Sequence, residues 1–385
     1  QQAVTHNNGP AIVLAGAGSG KTRVLTTRAA WLLKEKSISP SEILLVTFTN
    51  KAAQEMNDRV RILTGQTLPF SGTFHRICAK ILREHGHLIG LEPHYTIYDS
   101  QDQLSLIKQI YKQSDIDSKL FNAQAVKSVI SKAKNNLMSV SQYSDEATTP
   151  FQKIVAKIYQ QYQKRLREQQ AVDFDDLLSL TIKLLAQQST VLKNYQQQFS
   201  HVLVDEYQDT NTAQYQLTKF FAQPQNNLYI VGDFSQSIYA WRGADYRNLE
   251  YFKQDFKDVK EYRLEKNYRS TQTILDAASQ IISQNKSHPV LKLWTNNTNT
   301  GPIICFESKN GEDEARQILN EISNKLGHYQ RQDIVILYRT NAQSRYFEEA
   351  LVKRGMPYQL VGGFKFYERK EVKDVLSYLT LCLNP

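Results

Sequence analysis

The sequence predicts an α/β fold in which a parallel-sheet domain is split by an all-helical insertion and followed by an incomplete second α/β domain. Three observations predict it. Short β-branched runs alternate with longer helical patterns, as parallel strands joined by crossover helices require. Between residues 99 and 171 that alternation stops, and Gln- and Lys-rich segments such as QLSLIKQIYKQ and FQKIVAKIYQQYQKRLREQQ carry apolar residues at three- and four-residue spacing. The strand pattern resumes at HVLVDEYQDT, and a polar stretch, WTNNTNTGP, precedes a second α/β run from about residue 302. The expected division is 1–98 with 172–265 for the first domain, 99–171 for the insertion and 266–385 for the second domain. Strands are expected at 11–15, 43–48, 202–205, 229–232, 303–306 and 334–338.

The first expected strand runs into AGAGSGKT and then into a helix whose Leu25, Ala29, Leu32 and Leu33 share one face. Gly16, Gly18 and Gly20, with Ala17 and Ser19 between them, let backbone N–H groups turn inward around phosphate, and the helix N-terminus adds its dipole. Lys21 would reach the β- and γ-phosphates, and Thr22 would ligate Mg²⁺. The general pattern has Gly where this chain has Ala15. A chance glycine-rich turn is the competing reading, and the order strand, loop, helix argues against it.

HVLVDEYQDT is an apolar strand ending in paired acids. Ligands of open α/β sheets sit beyond the carboxyl ends of the strands, which would bring Asp205 and Glu206 beside the phosphate loop. Asp205 suits Mg²⁺, and Glu206 suits orienting and deprotonating an attacking water. In the insertion, KSVISKAKNN reads as a solvated lysine-rich helix face. VDFDDLL begins a helix, with Asp173 or Asp175 as its cap. His85 and His87 lack partners at metal spacing and read as a surface helix end.

Composition narrows the partners. At 385 residues the chain is long enough for two or three domains. Lys and Arg number 47 against 38 Asp and Glu, a formal charge of +9, which leans toward a polyanionic partner. Cys78, Cys305 and Cys382 fit neither a zinc spacing nor a disulfide framework, so a reduced, cytoplasmic protein is expected. No apolar run reaches the ~18 residues of a membrane span, and the start at Gln1 carries no signal pattern. Without an initiator Met, the ends are expected to be trimmed.

The segments AGAGSGKTR, TFTNKAAQEM, GTFH, VDEYQDTN, GDFSQSIYAWRGAD, NYRST and LYRTNAQSR stand in the order found in one family. From Gln1 to Pro385 the chain resembles the superfamily 1 DNA helicases of the UvrD/Rep/PcrA family. The resemblance implies two RecA-like domains with ATP and Mg²⁺ between them, single-stranded DNA across their tops, and 3′-to-5′ movement toward single/double-strand junctions in repair or replication. It further implies that Gln236 senses the γ-phosphate while Tyr239, Trp241 and Arg242 reach the DNA track. An indole suits that track because base–aromatic stacking tolerates any sequence.

By the same resemblance Arg23 and Tyr268 sandwich adenine, and Arg269 approaches the γ-phosphate as an arginine finger. Phe48, Phe74 and His75 lie near the DNA from the first domain, Arg339 and Asn341 from the second. The chain departs from the family at Ser235, where Asp is usual. The family's adenine-reading glutamine falls one residue before Gln1, and the chain stops before the later motifs with their second arginine finger, so an incomplete motor is expected. The rival expectations are a subunit of a recombination helicase–nuclease and an inactive DNA-binding remnant. Intact Lys21, Thr22, Asp205, Glu206, Gln236 and Arg269 argue against the remnant.

Overall fold

A computed structural model describes residues 1–118, 120–285, 290–298, 301–361, 372 and 375. The expected Cys382 and the YLTLCLNP terminus lie outside the described residues. Gln1–Gly301 form one compact unit and Pro302–Pro385 a second.

The first unit opens with β1 (Ala11–Ala15), whose five residues are all buried, followed through the glycine-rich loop by α1 (Lys21–Glu35). Next come β2 (Ile43–Thr47), α2 (Asn50–Thr64), β3 (Ser71–Thr73) and α3 (Phe74–His85). Then β4 (Thr96–Tyr98) leads into α4 (Ser100–Gln113), α5 (Ala123–Asn135), α6 (Val140–Glu146) and α7 (Pro150–Glu168). The chain returns through β5 (Ala171–Asp173), α8 (Phe174–Gln187) and α9 (Ser189–Gln198) to β6 (His201–Val204). After α10 (Thr212–Ala222) and β7 (Leu228–Gly232) come α11 (Asn248–Asp255) and β8 (Lys260–Leu264). The unit closes with β9 (Lys266–Asn267), α12 (Gln272–Ile282) and β10 (Trp294–Thr295).

Six of these strands form one parallel sheet in the order β3–β2–β6–β7–β1–β8. Both faces are covered, which is why the central strands read as continuous apolar runs rather than alternating ones. Ile12, Leu44, Val202 and Ile230 pack toward α3, α8 and α10, while Val13, Leu45, Leu203 and Val231 pack toward α1 and α2. The sheet is RecA-like, and all four strands expected in it are present. Two members were not expected. β3 is three residues of SGT, and the edge strand β8, KEYRL, is largely exposed and therefore polar.

Helices α4, α5 and α7 bury Ile107, Ile110, Ile130, Val155, Ile158 and Tyr162 in a core of their own. The parallel pair β4 and β5, with Tyr98 opposite Asp173, forms the stem of this block. One expectation is overturned here. The lysine run on α5 is not a wholly solvated face: Lys134 is buried, with Nζ 2.6 Å from Asp173 and 2.9 Å from Asp176. Its helix turn faces the stem instead of water, so its cation is neutralised inside the protein. Asp173 is the residue that caps α8, accepting from the Asp176 N–H at 2.8 Å.

The second unit contains α13 (Gly311–Lys325) and α14 (Ser344–Lys353). The strands expected at 303–306 and 334–338 are not formed. A strand exists through its ladder, and among the described residues no neighbour pairs with these segments. Ile303, Ile304, Val335 and Leu337 are accordingly exposed, Leu337 by 90%.

Candidate nucleotide and nucleic-acid site

The phosphate loop follows β1, the paired acids follow β6, and Gln236 follows β7. These three strands are neighbours in the sheet, with Leu14 opposite Gly232 and Val204 opposite Ile230. At ~4.8 Å per strand step their carboxyl ends converge on one place.

In the loop, Gly18 and Gly20 take φ of +67° and +94°, which L side chains rarely adopt. A Cβ on Gly18 would also stand 2.7 Å from Arg269 Cβ and 2.8 Å from Asn267 Nδ2. The reason is that the NYRS segment is docked on the loop. Asn267 Nδ2 donates to the Ala17 carbonyl at 2.6 Å and the Tyr268 N–H to the Gly18 carbonyl at 2.9 Å. Asn267 Oδ1 in turn accepts the N–H groups of Arg269 and Ser270. Arg269 and Tyr268 are thus fixed by backbone beside the loop, while their side chains stay exposed. Arg23 is exposed on the first turn of α1, and the Tyr268 ring, 70% exposed, has Lys266 Nζ at 5.4 Å. Ser19 closes the loop by donating its hydroxyl to the Gly16 carbonyl at 2.7 Å.

Lys21 Nζ is buried without a hydrogen-bond partner and stands 3.5 Å from Glu206 Oε2. Asp205 is buried, and its Oδ1 likewise has no partner. Burial, and then the Glu206 charge, push its carboxyl up to about 7. Glu206 sits at φ 48°, ψ 46°, a left-handed conformation that costs a residue other than glycine on the order of 1 kcal/mol or more. A buried ammonium that faces Glu206 and makes no hydrogen bond, beside a buried carboxyl with one oxygen unsatisfied, fits a triphosphate and its Mg²⁺. Thr22, on the first turn of α1, and Asp205 would hold that ion, which keeps most of its shell as water and phosphate oxygen. Among the described residues no group of three or more His, Cys, Asp and Glu converges, and such a phosphate-borne ion does not need one.

Gln208, which sequence reasoning passed over, joins these parts. Its Nε2 donates to Glu206 Oε2 at 2.9 Å, and its Oε1 accepts the Asp233 N–H at 3.0 Å. Asp233 Oδ2 then accepts Gln236 Nε2 at 2.6 Å, and the Ser237 hydroxyl returns to the Gln208 carbonyl. The acid loop and the segment after β7 are therefore one hydrogen-bonded piece. Gln208 and Asn267 both stand inside quoted segments, but only a fold shows that their amides bridge two of them.

From that piece an aromatic row leads outward. Phe48 stacks on Tyr239 at 4.9 Å and 27°, and Tyr239 meets Trp241 at 6.4 Å. The Trp241 indole is 73% exposed. The Arg242 side chain lies outside the described set. His75 is half-buried with its edge on Phe174 at 5.9 Å, and burial lowers its pKa. Phe74 is a correction: at 5% exposure it is part of the sheet's core, because it lies with Ile77 on the inward side of α3 while Arg76 is exposed. Arg339 and Asn341 belong to the second unit, exposed, at the turn before α14.

Sheet, phosphate loop and paired acids define a P-loop protein of the RecA-like class. The UvrD/REP helicase N-terminal domain model matches residues 1–257 and the UvrD-like helicase C-terminal domain model residues 262–385; the chain belongs to the UvrD/REP helicase family. It is 47% identical over 386 residues to ATP-dependent DNA helicase PcrA of Staphylococcus aureus (strain Mu50 / ATCC 700699), covering 100% of this chain and 53% of that one. PcrA of Leuconostoc citreum is 44% identical over 389 residues, covering 100% and 52%. The chain spans about half the length of the curated relatives it matches. Among the described residues no helix is long and apolar enough to cross a membrane.

Proposed function

We propose that this chain carries the ATP-hydrolysing and DNA-gripping parts of a DNA helicase that moves 3′ to 5′ on single-stranded DNA toward duplex junctions, in cytoplasmic DNA repair or replication. The first RecA-like domain is 1–98 with 172–265, the insertion 99–171, and the start of the second domain 266–385. Lys21, Thr22, Asp205 and residues 16–20 hold Mg²⁺ and triphosphate. Arg23 and Tyr268 take the adenine, and Arg269 with Gln236 attends the γ-phosphate. Glu206 accepts the proton of the attacking water. Phe48, Tyr239, Trp241, Arg242 and His75 take the DNA from the first unit, Arg339 and Asn341 from the second.

The observation that carries this reading is the chain of bonds from Glu206 through Gln208 to Asp233 and Gln236, five residues before Trp241. A nucleotide hydrolase without a polymer track has no use for an exposed indole tied to its catalytic acid. ATPase rates with and without single-stranded DNA, for the complete protein and its Trp241→Ala variant, test it. DNA should stimulate the wild type, and the variant should lose ~1–3 kcal/mol of DNA affinity together with that stimulation, whatever the base sequence. A wild type indifferent to DNA would contradict the reading. Strand displacement on 3′-tailed against 5′-tailed duplexes tests the polarity.

A further inference from the structure

Asn135, the last residue of α5, belongs to the helical block, yet it hydrogen-bonds the end of the acid loop and lies beside the turn after Trp241. Its Oδ1 accepts Asn211 Nδ2 at 2.6 Å, and its own Nδ2 donates to Asp175 Oδ1 at 3.0 Å and to the Ser131 carbonyl at 2.9 Å. The order of donors is fixed from both ends. Asn211 Oδ1 is already committed to the Gln214 N–H at 2.8 Å as the cap of α10, so only its amide hydrogens can face Asn135. The Ser131 carbonyl can only accept, so the Asn135 amide must point its NH₂ toward Ser131 and Asp175.

Asn211 ends the loop that carries Asp205, Glu206 and Gln208. The preceding residue, Thr210, gives its carbonyl to the Asp245 N–H at 3.0 Å and to Asn248 Nδ2 at 2.8 Å. The turn after Trp241 is held there too. Gly243, at φ +87°, lies so close that a Cβ on it would meet Asn135 Cβ at 3.6 Å and Asn211 Cβ at 4.0 Å. Asn135 is itself buried, and the neighbouring Lys134 anchors the same helix turn on Asp173 and Asp176. One amide from the insertion thus stands where the acid loop and the indole turn meet.

We propose that Asn135 is a positioning residue for DNA-stimulated ATP hydrolysis: by bridging Asn211 and Asp175 against Gly243, it makes the helical insertion set the acid loop relative to the Trp241 turn. The inference rests on the helicase reading above. It touches no nucleotide group, so it acts on the stimulated rate and not on nucleotide binding.

The test is steady-state ATPase of the complete protein with and without oligo-dT, with ATP affinity measured separately by a fluorescent analogue. Asn135→Ala should lower the DNA-stimulated kcat on the order of tenfold, within the usual range of site-to-site coupling, and leave the KM for ATP and the unstimulated rate within about twofold. Asn135→Asp should do the same, because it sets two carboxylates face to face. The paired change Asn135→Asp with Asp175→Asn exchanges amide and carboxylate and restores the donor order toward positions 211 and 175, though not toward the Ser131 carbonyl, so it should restore stimulation in part. Full stimulation in Asn135→Ala, or no recovery in the paired variant, would overturn the role of Asn135. A wild type that DNA does not stimulate would overturn the helicase reading beneath it, which keeps the two failures apart.

Discussion

At the scale of single residues the site is organised by what its charged groups lack. Asp205 Oδ1 and Lys21 Nζ are buried without hydrogen-bond partners, a costly state unless a ligand completes them. Glu206→Gln should keep nucleotide affinity while kcat falls ~10²–10⁴-fold, since an amide cannot take the water's proton. Near-normal turnover, read in a phosphate-release assay, would remove Glu206 as the base. Asp205 gives a pH signature. Its folded pKa of about 7 lies above the ordinary carboxyl value, so the protonated form stabilises the metal-free fold at low pH, and that contribution is lost as pH rises through about 7. Mg²⁺ needs the anion. Affinity for Mg²⁺-nucleotide should therefore strengthen between about pH 6 and about pH 8 and then level off, and Asp205→Asn should flatten the profile. Titration of a fluorescent nucleotide at fixed Mg²⁺ reads both curves. That Lys21, Asp205 and Glu206 would come together was legible in the sequence, because each follows an apolar strand whose carboxyl end lies at the same edge of a parallel sheet. Gln208 and Asn267 were not, because an amide that bridges two loops leaves no periodic or spacing signal.

Among the elements, the buried cluster of Lys134, Asp173 and Asp176 joins α5 to the start of α8. Burial alone would lower the Lys134 pKa, but the two carboxylates outweigh it and raise it. Asp176 is pushed up by burial and by Asp173. Tyr162 Oη adds a bond to Asp173 at 3.0 Å and Gln163 Nε2 one to Asp176 at 3.0 Å. Removing the cation leaves two carboxylates buried side by side, so Lys134→Met should destabilise the protein by ~3–5 kcal/mol, measured by urea unfolding. A loss under about 1 kcal/mol would mean that water reaches the cluster. KSVISKAKNN hid this role, since a lysine run has the same composition whether its last member faces solvent or a carboxylate pair. The central strands were legible for the opposite reason: burial on both faces forces unbroken apolar runs such as ILLVT and LYIVG. The polar edge strand β8 lacked that constraint, and the runs at 303–306 and 334–338 had the right residues but pair with no strand among the described residues.

Across the whole molecule, Gln208 ties the candidate nucleotide site to the segment that carries the aromatic row, so the two should move as one unit. Coupling of this kind is reciprocal: if bound nucleotide changes DNA affinity by some factor, DNA changes nucleotide affinity by the same factor. The most direct measurement is the affinity of the complete protein for fluorescent oligo-dT, with and without a non-hydrolysable ATP analogue and Mg²⁺, in the wild type and in Gln208→Leu. Nucleotide should shift wild-type DNA affinity by roughly 5–150-fold, and the shift should collapse toward onefold in the variant, while each ligand alone still binds. DNA affinity indifferent to nucleotide in the wild type, or an undiminished shift in Gln208→Leu, would contradict this coupling.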